Sequence, residues 1–234
     1  MVTKNLPKYA TERLEDYIIS VTDASKSDSG VSLVTSDAHI YCFDDICKLF
    51  YTEYNSATSA DGLLFPKGNI ELVEFKSGFS RRITKDKFDL SKGACTTLRE
   101  KYGVEHICDY YWDKFWKLAD KERSELIDSI RLKAIESYIL LEKHILPACE
   151  DMGNGRQAQL ILTVVVDEDG VDGIEDTLAE LAKEEESRTD NSLSSIRQAL
   201  KRLINRQDVT GSSYFYDRIE VLSAKDFKNR MSYT

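Results

Sequence analysis

The chain has 234 residues, 41% hydrophobic and 31% charged with three prolines, a composition that excludes a collagenous, low-complexity or mainly disordered protein and suits one domain, 1–234, around a sizeable core. No apolar run reaches the roughly 20 residues of a membrane span, and the opening MVTKNLPKYATERLEDY lacks the apolar stretch of a secretory signal, so a cytoplasmic protein without a membrane partner is expected. The net charge of −9 speaks against a generally nucleic-acid-binding surface, but ten acids and one lysine in 167–186 account for all of it, leaving the rest of the chain near neutral.

In chain order, YATERLEDYIISV places Tyr9, Leu14, Tyr17, Ile18 and Val21 at helical spacing, and TDASKSDSG follows as a polar loop. GVSLVTS reads as a short strand. SDAHIYCFDDICKLFYTEYN is expected to be an amphipathic helix with Ser36 as N-cap and Ile40, Phe43, Ile46, Cys47 and Phe50 on its apolar face. Glu53 continues that face, either as a helix-end residue at the rim of the core or as part of a buried site. DGLLFPKGNIELVEFK, from Asp61, is two apolar runs around a Pro/Gly turn. The stretch after it carries Arg81, Arg82, Lys85, Lys87, Lys92, Arg99 and Lys101 against three acids, as a solvated loop or a phosphate-binding face.

Further on, Ile127, Ile130, Ala134, Tyr138, Leu141 and Ile145 form the stripe of a core helix ended by Pro147. AQLILTVVVDED has the continuous apolar character of a central strand covered on both faces. The acidic GVDGIEDTLAELAKEEE and the more basic NSLSSIRQALKRLINRQD read as helices, and SYFYDRIEVLSAKDF as a closing strand. The five cysteines are scattered without a C-x-x-C pair, which points to reduced thiols rather than disulfides or zinc. The three histidines are dispersed.

The hairpin poses the chemical question. A two-residue period in IELVEFK sets Ile70, Leu72, Glu74 and Lys76 on one face and Glu71, Val73 and Phe75 on the other. Both faces are apolar enough for an internal strand, yet desolvating an unpaired glutamate or lysine costs several kcal/mol. A symmetric turn that pairs Phe65 with Ile70 puts Asp61 opposite Glu74, whereas a bulged three-residue loop shifts the pairing by one. Facing carboxylates, with Cβ atoms about 5 Å apart, need a cation between them. Lys76 is expected to supply part of that charge; magnesium, held by Asp61, Glu74, the Phe75 carbonyl and waters, is a chemically suitable source of the rest. The competing reading is an amphipathic hairpin with a structural ion pair.

With an acid at the start of one strand and acid-x-lysine on the next, SADGLLF…IELVEFKSG resembles the signature of the PD-(D/E)XK, restriction-endonuclease-like nuclease superfamily, including small members from bacterial prophages and mobile elements. Ala60 stands where the family has proline, and the first of the three core strands is not marked by an alternating run. The resemblance implies an α/β (α+β) fold: a mixed central sheet flanked by helices in αβββαβ order, with a core at about 37–167 and additional helices and a strand in a C-terminal extension at about 168–234. It implies a metal-dependent nuclease with Asp61, Glu74 and Lys76 as catalytic residues. Asp61, Glu74, the Phe75 carbonyl and Glu53 would bind magnesium, with manganese as a substitute. Arg81, Arg82, Lys85 and Lys133 would meet nucleic acid, DNA before RNA, although Lys133 also reads as a surface lysine. A homodimer or a partner protein is a further implication. The alternative is an inactive module of the same fold that binds nucleic acid or protein.

Overall fold

The computed structural model describes residues 2–3, 5–51, 57–79, 107–148, 157–167, 193, 196–202, 204 and 215–232. Its centre is a six-stranded mixed sheet in the spatial order β2 (Ile18–Ser20), β3 (His39–Cys42), β4 (Gly62–Leu64), β5 (Ile70–Lys76), β7 (Leu160–Val166) and β8 (Arg218–Ser223). The first four strands run antiparallel to their neighbours; β5, β7 and β8 are parallel. A separate two-stranded ribbon pairs β1 (Val2–Thr3) with β6 (Gln157–Ala158).

Helices cover both faces of the sheet. The helix α4 (Ile107–Leu140) crosses one face, burying Ile130, Ala134 and Leu140 in a cluster with Ile70, Leu72, Leu160, Leu162 and Val164. Its last turn continues to Ala148 through a π-turn at Leu141–Ile145, in which the Leu146 N–H reaches the Leu141 carbonyl. Helix α1 (Asn5–Arg13) adds Leu6 and Ala10 to the same core. On the opposite face, the short helix α2 (Val21–Ala24) contributes Val21, and the C-terminal helix α6 (Ala224–Met231) packs Phe227 and Met231 against Val73, Phe75 and Val165. Residues 196–202 form a further helical segment, α5, whose Ile196 and Leu200 join the first cluster. All seven residues of β7 are buried, as the apolar run requires of a strand covered on both faces.

The two-faced character of β5 is therefore real: Ile70 and Leu72 lie in the α4 core, Val73 and Phe75 in the α6 core. Glu71, on the α6 side and 2% exposed, accepts hydrogen bonds from Thr163 and from Arg230 of α6, so this buried acid is satisfied by an ion pair that ties the last helix to the sheet.

Three local expectations need correction. Helix α1 stops at Arg13, and the remainder of YATERLEDYIISV forms a 3-10 turn (Glu15–Tyr17) and edge strand β2. GVSLVTS is loop, not strand: the buried Ser25 hydroxyl bonds both the N–H and the carbonyl of Val34, so a side chain replaces a ladder partner. The helix expected from Ser36 begins only at Phe43, as α3 (Phe43–Lys48), because His39–Cys42 pairs between β2 and β4 as strand β3. The close approach of β3 depends on Gly62: a Cβ there would lie 2.1 Å from Ile40 Cδ1. Among the described residues no helix is long and apolar enough to cross a membrane.

Candidate active site

The hairpin folds in the symmetric register. Gly62 pairs with Val73, Leu63 with Leu72 and Leu64 with Glu71, so Asp61, one residue before β4, comes level with Glu74. The turn is a 3-10 segment, Pro66–Gly68, with Lys67 and Gly68 at φ 52° and 77°. Asp61 Oδ2 accepts the Phe75 N–H at 2.6 Å, and the Asp61 carbonyl accepts the Phe43 N–H at 3.1 Å. The Phe75 carbonyl shares the strand edge of its own N–H, the edge on which Asp61 lies.

The side chain between the two acids comes from α4. Lys133 Nζ donates to Asp61 Oδ1 and to Glu74 Oε2, each at 3.0 Å, and lies 3.0 Å from Glu74 Oε1 as well. Glu74 is 1% exposed, and its Oε1 is buried without a hydrogen-bond partner. Lys133 is thus not a solvated surface lysine; its side chain is only 28% exposed. Lys76, at the end of β5, donates to Ser129 Oγ on α4 at 2.7 Å. Asp61, Glu74, Lys76 and Lys133 all line one cleft of about 730 Å³, whose other wall is the loop after α2, at residues 25–33. Asp167, just after β7, also faces this cleft and accepts the Gly78 and Phe79 N–H groups at 2.7 and 2.9 Å, which holds the exit of β5 beside it.

Helix α4 is sewn to the segment that delivers Asp61. Glu136 accepts the N–H and hydroxyl of Thr58 at 2.5 and 2.6 Å, and Ser137 Oγ accepts the Ala60 N–H at 2.7 Å. That last bond needs an N–H at position 60, because a proline there would leave the buried Ser137 hydroxyl without it.

The electrostatics follow from burial. Burial, and then the Asp61 carboxylate, pushes Glu74 up to about 8 against the pull of Lys133. Burial raises Asp61 too, with Lys133 and the Phe75 N–H opposing. Burial also works to lower Lys133, but Glu74 and Asp61 outweigh it and hold the ammonium above the ordinary lysine value.

Asp61, Glu74 and the Phe75 backbone thus come together as the hairpin register requires; Lys76 lines the same cleft but bonds Ser129, and the cation between the two acids is Lys133 instead. Glu53, Arg81, Arg82 and Lys85 lie outside the described residues. Among the described residues no group of three His, Cys, Asp or Glu side chains assembles around one point, so the acidic set is the pair Asp61 and Glu74. That pair fits a hard divalent cation: the donors are carboxylate oxygens, and Glu74 Oε1 is a buried oxygen that makes no hydrogen bond and has the Lys133 ammonium 3.0 Å away as its ion-pair partner. Ser129, Glu136, Ser137 and Asp167 were not legible as site residues. Yet Ser129, Lys133, Glu136 and Ser137 recur at i, i+4, i+7 and i+8 along α4, a polar row that marks a helix face with something to bind. Comparisons with family models, with curated proteins and with solved structures find no match.

Proposed function

We propose that the chain is a metal-dependent phosphodiesterase of the PD-(D/E)XK kind acting on nucleic acid, with Asp61, Glu74 and Lys76 at its centre. The observation that carries this reading is the convergence of Asp61 and Glu74, from neighbouring strands, with two lysines in one cleft. Of the order that the resemblance implies, three antiparallel strands, a helix and a parallel strand are present as β3, β4, β5, α4 and β7, with α3 lying between β3 and β4, which supports the reading in part.

Asp61, Glu74 and the Phe75 carbonyl would hold magnesium, or manganese in its place, and the bound ion supplies positive charge at the scissile phosphate and acidifies a water. Lys76 is steadied by Ser129 at the end of β5, so its ammonium can face the phosphate oxygens on which negative charge grows as water adds to phosphorus. The Phe75 N–H holds the Asp61 carboxylate through one of its oxygens, which keeps it from turning away from Glu74. A P–O ester bond breaks and leaves one phosphate end and one hydroxyl end. Arg81, Arg82 and Lys85 follow directly on the β5 exit in sequence and are proposed to meet the sugar–phosphate backbone, giving weak, salt-sensitive binding.

A second reading is favoured by one observation: Lys133 already neutralises the two acids, as in a module that binds nucleic acid or a protein without cutting it. Incubating the purified chain with mixed DNA and RNA in magnesium or manganese separates the two. The proposal expects cleavage by the wild type, and its loss in Asp61→Ala and Lys76→Ala proteins whose thermal unfolding remains cooperative. Retention without cleavage would favour the binding module.

A further inference from the structure

We infer that Lys133 is a resident cation that a divalent metal must displace, so that the acidic pair alternates between a lysine-closed and a metal-loaded state; this rests on the metal-dependent reading above. The ammonium lies 3.0 Å from Asp61 Oδ1 and 3.0 Å from both Glu74 oxygens, in the space between the carboxylates. A magnesium or manganese ion bound to the same oxygens would sit about 2.1 Å from each. The two cations therefore cannot share the position: an ammonium 3.0 Å from these oxygens lies within contact distance of any ion that bridges them, and the like charges repel.

Lys133 belongs to α4, outside the hairpin that supplies both acids, and its helix is held in place independently by Glu136 and Ser137. Withdrawing the side chain thus asks only for rotation of a flexible four-carbon stem, with the open volume of the cleft beside it. Lys76 is different, because its ammonium is parked on Ser129 and bonds neither acid. In the closed state the lysine neutralises the acids and lowers apparent metal affinity by the fraction of molecules in which it is in place. Once displaced, its ammonium is free to turn toward a phosphate in the same cleft.

The test is calorimetric titration of the full chain with manganese alone, without nucleic acid, comparing wild type with Lys133→Met, Lys133→Gln and Lys76→Met. Displacement predicts that manganese binds Lys133→Met about 10- to 100-fold more tightly than wild type, the usual range for two coupled ligands, while Lys76→Met stays within about threefold. Lys133→Gln, which keeps a donor between the acids but no charge, is expected to tighten binding as well, and it serves if the methionine variant does not fold without metal. Equal affinity in wild type and both Lys133 variants, or the same gain in Lys76→Met, overturns displacement and leaves the metal site standing. Absence of manganese binding in all four proteins overturns the metal-dependent reading together with it.

Discussion

Glu74→Gln is expected to lower the proposed magnesium-dependent cleavage by about a thousandfold or more, and to flatten the pH dependence of stability measured without metal. The first effect follows from the loss of one of the two carboxylates that, among the described residues, are proposed to hold the ion; about a thousandfold corresponds to roughly 4 kcal/mol of transition-state stabilisation. The second follows from burial. Glu74 is raised from an ordinary 4.5 to about 8 in the folded chain, and Asp61 is raised as well. Between these values the folded protein keeps a proton that the unfolded chain has released, so stability falls as pH rises from about 5 to 8, by on the order of 1 kcal/mol per pH unit. Below about pH 4.5 both states are protonated and Glu74 contributes no slope. Urea unfolding in chelator at pH 5, 6, 7 and 8 checks this: the wild type should lose stability along the series and Glu74→Gln should lose much less. Equal slopes in both would mean that Glu74 ionises normally.

Lys133→Ala is expected to destabilise the metal-free protein by about 3 to 5 kcal/mol at pH 8, because removing one partner of a buried ion pair strands the other. Here two acids share the one ammonium, and Glu74 is 1% exposed with nowhere to solvate its charge. The loss should shrink at pH 6, where Glu74 relieves the imbalance by holding its proton. Urea unfolding of the variant at the two pH values measures both quantities. A cost below about 1 kcal/mol at pH 8 would instead be the behaviour of an exposed ion pair.

The parts of this fold that were readable in the sequence are those where one physical constraint acts alone. Strand β7 is apolar at nearly every position because both of its faces are covered, and the β4–β5 register follows from a turn with Pro66 and Gly68 between two runs that must bury the same face. Asp61 opposite Glu74 came from that register, and the family resemblance supplied the expected chemistry. Strand β3 was hidden because Ile40, Phe43, Ile46 and Cys47 fall at helical spacing across a strand-to-helix junction; Ile40 is buried on the sheet and the other three under α3. Ile18, at the start of β2, was similarly absorbed into a helical pattern, although the strand pairs with Tyr41. Lys133 was readable only as a lysine on a helix, since which way that helix faces is decided by packing against β5 and by Ser137 on Ala60, contacts more than fifty residues apart in sequence. The polar row from Ser129 to Ser137 was the local signal of that orientation.

The most direct measurement is anomalous diffraction from crystals of the chain soaked in manganese at saturating concentration. The account predicts a peak between Asp61 and Glu74, about 2.1 Å from an oxygen of each, with the Lys133 ammonium moved out of that space. Density that keeps Lys133 in contact with both acids, with no anomalous peak beside them, would contradict it.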